Sequence, residues 1–275
     1  PGLYPSWNYA IEQCTQRFIY ISTVGDEIDH DGLTRLVNLA IETEADIVMS
    51  PPRFIDEAGR AHENIQWPIN NLIKNHGLRE PALISSALVY SEAIFHAPDG
   101  ILGSSASCLY KTSFLKPRPF PLGFHGACDS AWALRHVPEA KCAIIPESLS
   151  VFLLHPKSYE SHGVLNARIA VLVRDFLRRE LHRLLAASQT SSKNGNPLPN
   201  SVLKHLRNFN LIALLRARYE EKLLTLRKKM HGLWFLSPHV WMIRRYRNHY
   251  RKLAAQLAVD ARHELEASLN LSVTD

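Results

Sequence analysis

The sequence predicts an α/β domain built on a mixed sheet flanked by helices, followed by a basic, all-helical region. Three observations carry that expectation. Within residues 18–49 a β-rich run, an amphipathic helix and a second β-rich run follow one another, the order of a strand–helix–strand crossover. Near residue 162 the texture changes from short apolar runs broken by Gly and Pro to long helical patterns almost free of either. The charge divides at the same place: residues 1–162 hold 12 Lys and Arg against 18 Asp and Glu, whereas residues 163–275 hold 20 against 8. Two domains are therefore expected, 1–162 and 163–275, the second interrupted by a flexible linker over about 188–200.

Taken in order, residues 6–16 place Trp7, Ala10, Ile11 and Cys14 at helical spacing, and Phe18 to Ser22 is a β-rich run too short for a helix. An acidic stretch, residues 23–32, leads into a helix carrying Leu33, Leu36, Val37, Leu39, Ala40 and Ile41. A strand at Ile47 to Met49 follows, and Pro51-Pro52 is expected to close the unit. That unit argues for a largely parallel, doubly covered sheet with the acidic loop at the carboxyl end of its strand, where open α/β sheets place ligands. From residue 81 the pattern loosens into short segments: Ala82 to Val89, Ala93 to His96, the small-residue run 103–110 and the proline-rich run 116–124. A helix around Asp129 to His136 and strands at Cys142 to Ile145 and Ser150 to Leu154 complete the mixed half. Beyond it, helices are expected over 164–187, 201–231 and 239–268.

Composition narrows the function classes. At 275 residues with 46% hydrophobic and 21% charged residues, the chain is of ordinary globular composition, which excludes disorder and fibres. No stretch approaches the roughly 18 uninterrupted apolar residues of a spanning helix, and the opening residues lack the pattern of a signal peptide. Cys14, Cys108, Cys128 and Cys142 are scattered, so reduced thiols in a reducing, cytoplasmic compartment are expected rather than a disulfide framework or structural zinc.

Four segments, in sequence order, resemble the family 2 glycosyltransferases of the GT-A fold. Gly2-Leu3-Tyr4-Pro5-Ser6-Trp7-Asn8-Tyr9-Ala10-Ile11 looks like the family's G-[IL]-Y-D-A-x-N-x-[GA]-I helix beside the nucleotide site. Phe18 to Asp26 falls where the family runs a strand into its D-x-D-D loop. Gly103 to Leu115 resembles the segment leading to the acceptor side, and Gly126 to Arg135 looks like its E-D-x-x-L-x-x-R element. The resemblance covers about residues 2–156 and implies a Rossmann-like GT-A sheet. It further implies inverting transfer of a sugar from a nucleotide-sugar donor to a glycan or lipid-linked acceptor. The family's first βα units, with the Asp that holds the nucleotide base, would precede Pro1. A chain that is a fragment of a longer protein, or one with half its nucleotide pocket lost, is the expectation.

The chemistry explains the residue types. A sugar nucleotide leaves a pyrophosphate whose growing charge a carboxylate-bound Mn²⁺ or Mg²⁺ can stabilise, and an inverting transfer needs a base within reach of the acceptor hydroxyl. The resemblance makes Asp129 the candidate base. It places Asn8, Asp26 and Arg135 at the donor, and Asp26 and His155 at the metal. Thr23 and Gly25 stand where the carboxylates of D-x-D usually stand, so Asp26 alone remains. Each residue also has a plainer reading: a solvated turn for Asp26, a helix cap for Asp129, a surface residue for Arg135, a strand-end histidine for His155. Trp7 and Tyr4 could stack on a base or sugar ring, or belong to the core. Cys128, in place of the usual Glu, reads as a small buried residue. Asp56-Glu57-Ala58-Gly59 resembles a hairpin turn with no catalytic part.

Residues 216–252 interleave Arg and Lys with Leu233, Trp234, Phe235, Trp241 and Ile243, a combination suited to a helix lying on an anionic membrane. A helical pair that packs on the domain or forms a homodimer explains the same pattern, and no nucleic-acid-reading motif is present. The expected location is the cytoplasm, peripherally at the inner face of the plasma membrane. The rival to the enzyme is a non-catalytic glycosyltransferase-like module with a degenerate metal motif, acting as a binding or membrane-associated scaffold.

Overall fold

The computed structural model describes residues 2–65, 67–84, 105–124 and 128–154, and places Val89, Leu102, Pro238, Trp241, Met242, Arg245, Asn248 and His249 singly. Two compact units divide the chain between Pro156 and Lys157. The regular elements described below belong to the first. The expected linker and the helices over 164–187 and 201–231 lie outside the described residues.

The first unit is mixed α/β, with two sheets flanked by helices. Helix α1 (Leu3–Gln13) precedes β1 (Phe18–Tyr20), a turn leads to the short β2 (Glu27–Ile28), and α2 (Gly32–Thr43) runs to β3 (Ile47–Met49). Next come β4 (Pro52–Asp56), α3 (Pro68–His76) and β5 (Ala82–Ile84). A 3-10 turn (Ser105–Ser107) introduces β6 (Cys108–Lys111), which continues directly into the one-turn α4 (Thr112–Leu115). Helix α5 (Cys128–His136), β7 (Cys142–Ile144) and β8 (Ser150–Leu154) complete it.

The larger sheet has the order β1-β6-β3-β7-β5 and the smaller the order β2-β8-β4. The strand–helix–strand unit forms as expected, but its strands are not neighbours. β6 inserts between them, antiparallel to both, with Ile19 opposite Tyr110 and Val48 opposite Leu109. The largely parallel sheet is thus corrected: β3 and β7 run parallel at its centre, and β5 is antiparallel to β7. Periodicity reports how a strand is buried, and β3 and β7 are indeed buried at every position; it does not report which strand lies alongside. The unit does end before Pro51-Pro52, β3 stopping at Met49, but no loop follows. Pro52 opens β4, an edge strand parallel to β8, where a residue without an N–H is tolerated in first position.

Register decides the two faces of the larger sheet. Val48, Leu109 and Ala143 stand opposite one another and share a face with Leu36, Leu39 and Ala40 of α2. On the other face Tyr110 meets Trp132 of α5, ring centroids 5.6 Å apart. Phe120 lies 5.4 Å from Trp132 and 5.5 Å from Trp7, which joins α1 to α5 through one aromatic cluster. Tyr4 is buried in this cluster, 5.1 Å from Trp7 and 5.9 Å from Phe120, whereas Trp7 is half-buried. In the smaller sheet Phe54, Trp67 and Phe152 form an edge-to-face triangle with spacings of 4.9, 5.1 and 5.9 Å.

Candidate functional site

Asp26 closes a tight turn at the carboxyl end of β1. Its N–H donates to the Thr23 carbonyl at 3.1 Å, and Gly25, at the third position, has φ +94°, the left-handed conformation that such a turn asks of glycine. The carboxylate is engaged on both oxygens. Oδ1 accepts the Leu153 N–H of β8 at 3.1 Å and Oδ2 accepts the Thr23 hydroxyl, so the turn is tied back on itself and across to the smaller sheet. Glu27, the neighbour that could have lent a second carboxylate, pairs with Val151 in β2 and is exposed.

The expected divalent cation does not fit these residues. Thr23 supplies a hydroxyl already donating to Asp26, Gly25 supplies no side chain, and both oxygens of Asp26 hold protein hydrogens. Among the described residues no three His, Cys, Asp or Glu side chains gather into a metal-binding group. His155 lies outside the described residues.

Asp129 occupies the first turn of α5, half-buried, with Oδ1 accepting the Ser130 N–H at 2.7 Å. It is inside the helix rather than the cap before it, yet it does take one of the first-turn amides that a helix leaves unpaired. Its other neighbours come from far along the chain. The buried Tyr4 hydroxyl of α1 is hydrogen-bonded to Asp129, and burial first, then the Asp129 charge, hold that phenol well above its ordinary range. Burial likewise raises Tyr110, with the Cys108 and Asp129 charges adding to it. Burial pushes the Cys108 thiol up to about 12, the Asp129 charge adding to it.

These neighbours bring Asp26 and Asp129 to the same end of the larger sheet. Tyr20, the last residue of β1, donates to the Ala106 carbonyl at 2.8 Å; burial, then the Asp26 charge, then Cys108 raise its hydroxyl to about 12. Cys108, the first residue of β6, thus senses Asp129 and bears on Tyr20, which senses Asp26. The two carboxylates border the place where β1 leaves the sheet and β6 enters it.

Asn8 and Arg135 make contacts of their own. Asn8 brackets the backbone of Phe120, its Nδ2 donating to the carbonyl and its Oδ1 accepting the N–H, both at 2.8 Å. That is the work of a strut for the proline-rich loop. Arg135 is exposed on the last turn of α5, six residues beyond Asp129, which puts it about 9 Å along the helix and a third of a turn around it. Cys128 is buried, as its small side chain suggested, and burial raises its thiol. Asp29 is held below the usual carboxylate range by a two-pronged ion pair with Arg53, whose guanidinium also donates to the Ser148 carbonyl at 2.9 Å. The sequence reading missed Tyr4 and Tyr110 as neighbours of Asp129. Contacts between residues this far apart in the chain leave no local pattern.

No family model and no curated protein matches the sequence. Among solved structures the chain is similar to S. aureus TarS. The TarS 1-349 complex with UDP-GlcNAc aligns at a TM-score of 0.48 and 14% identity, covering 98% of this chain and 72% of that one. The complex with UDP aligns at 0.42 and 15%, covering 96% and 69%. Against the S. aureus TarS crystal structure the figures are 0.42 and 14%, covering 96% of this chain and 42% of that one.

Proposed function

We propose that this chain carries the catalytic unit of a glycosyltransferase that moves a sugar from a nucleotide donor to a glycan or lipid-linked acceptor by a single inverting displacement. One observation supports it above the rest. Asp129, in the segment that resembles the family's E-D element, sits half-buried against Tyr4, at the sheet end where β1 delivers the Asp26 turn. In such a displacement the acceptor oxygen bonds to the anomeric carbon as its bond to the diphosphate breaks. The diphosphate leaves with the electron pair, and the hydroxyl proton passes to Asp129. Tyr4 positions that carboxylate. Asn8 fixes the loop at Phe120, and the Asp26 turn shapes the donor side through its backbone. Because the turn does not fit a cation, no step is assigned to one. The basic second unit would hold the enzyme on an anionic membrane bearing a lipid-linked acceptor.

The test is donor hydrolysis and sugar transfer by the full chain over a nucleotide-sugar panel that includes UDP-GlcNAc, with Mn²⁺ or Mg²⁺ and with EDTA. Turnover that persists in EDTA is expected, and Asp129→Asn should lower kcat by about 10²-fold or more while donor affinity and melting temperature hold. Neither binding nor turnover across the panel would end the enzyme reading. The turn at Gly25 favours a second reading, a non-catalytic module. Donor binding without turnover, unchanged by Asp129→Asn, would establish that one.

A further inference from the structure

We propose that a hollow at the opposite end of the larger sheet is a second ligand site, for an anion carrying two or more phosphate charges. The hollow measures about 730 Å³ and lies between residues 14–17, which lead into β1, and residues 111–113, 116 and 117, where β6 passes into α4. It is distinct from the Asp129 site. Lys111 pairs with Phe18 at the start of β1, whereas the Asp26 turn leaves the end of that strand.

Charge is the first argument. Residues 1–156 hold 11 Lys and Arg against 17 Asp and Glu, yet Arg17, Lys111 and Lys116 line this hollow and, among the described residues, no carboxylate does. The nearby acid, Asp46, is 3.7 Å from the Lys111 ammonium, and one of its oxygens accepts the Lys141 N–H. Rigidity is the second. Thr112 donates its N–H to the Arg17 carbonyl at 2.9 Å and its hydroxyl to Gln16 at 2.6 Å, and Lys116 Nζ donates to the Cys14 carbonyl at 3.1 Å. The Arg17 guanidinium rests 5.1 Å from the centre of the Phe18 ring. Cations held in place before the ligand arrives lose little freedom on binding it. Size is the third, since this solvent-open depression exceeds what a single phosphate would fill. The methylene stems and Pro117 that form its walls also suit a ligand with a carbon body attached to the phosphates.

Titration calorimetry of the full chain with inorganic tripolyphosphate at low ionic strength tests the site. One equivalent should bind, more weakly as salt rises, and Arg17→Gln with Lys116→Gln should weaken it about tenfold or more with the melting temperature unchanged. Asp129→Asn should leave it untouched. A parallel titration with uridine triphosphate of the native chain and the double variant separates the sources: binding tighter than tripolyphosphate that the double variant loses assigns a nucleotide to the hollow, equal binding a bare polyphosphate. No binding by the native chain, or equal binding by the double variant, would overturn the proposal. The second result would move the anion to the basic residues beyond 162.

Discussion

At the scale of the residue, Gly25 shows how a backbone conformation dictates a residue type. The resemblance puts a carboxylate there, and the backbone forbids it, because φ is +94° and a Cβ would come 2.7 Å from Leu153 Cδ2. Leu153 can swing aside; the backbone cannot. Gly25→Asp is therefore expected to lower stability by about 1–3 kcal/mol without creating a Mn²⁺ site, as denaturant unfolding and metal titration would check. A stable variant that binds Mn²⁺ would mean the turn opens readily. Individual residues were legible in proportion to how local their work is. The helical start at Asp129 could be read from Trp132 and Arg135, and the burial of Cys128 from its type. The Tyr4 contact could not, since it joins residues 125 apart, and neither could the grip of Asn8 on Phe120.

At the scale of the element, the strands that could be read are those with a continuous apolar run in the sequence, whether buried throughout like β3 or half-buried beyond its first residue like β8. Ile47–Met49 and Ser150–Leu154 keep their expected bounds, and α2 buries Leu36, Leu39 and Ala40 of its apolar stripe while Leu33 and Ile41 stay exposed. Sheet order was illegible because β6 is recognised by partners on both sides rather than by its own pattern. The hairpin after β4 was legible as a turn but not as a hub. Asp56 Oδ1 accepts the N–H groups of Ala58 and Arg60 at 3.0 and 2.9 Å, and Oδ2 accepts Arg60 Nε and meets His62 Nε2 at 2.8 and 3.2 Å. The Arg60 N–H foremost, then His62, holds this carboxyl well below its ordinary range. A depressed folded value means stability that is full above the unfolded value of about 3.9 and is lost as pH falls below it. Asp56→Asn should thus flatten the stability profile below about pH 4 relative to native, read by urea unfolding from pH 7 to 3. Parallel profiles would show that the hub contributes nothing.

At the scale of the whole molecule, the charge division read from the sequence separates an acidic α/β unit from a basic one. In the second unit Pro238, Trp241, Met242, Arg245, Asn248 and His249 recur at helical spacing and are all exposed, Trp241 at 62% and Met242 at 46%. Arg245 rests 5.4 Å from the Trp241 ring centre. An exposed aromatic beside a cation, in a segment of balance +12, suits an anionic bilayer, each basic residue contributing about 1 kcal/mol near the surface. Liposome sedimentation should rise with phosphatidylserine and fall with salt, and Trp241→Ala should weaken it. Equal partitioning onto neutral vesicles, or none, would favour self-association instead. Among the described residues no helix is long and apolar enough to cross the bilayer.

The insertion of β6 between β1 and β3 also governs how this unit comes into being. β1 finds its sheet neighbour only when residues 108–111 are in place, and β2 waits for β8 in the same way, Glu27 for Val151. Helices α1 and α2 can form early, but β1 and β3 have no sheet partner until residues 108–111 are made, and β2 has none until residues 150–151 are. Contacts of such long sequence separation incur their loop-closure entropy before they return any stability, which makes for slow folding. A ribosome releasing this chain would hold β1 with both edges open for most of that time, and those edges are where another nascent chain would add.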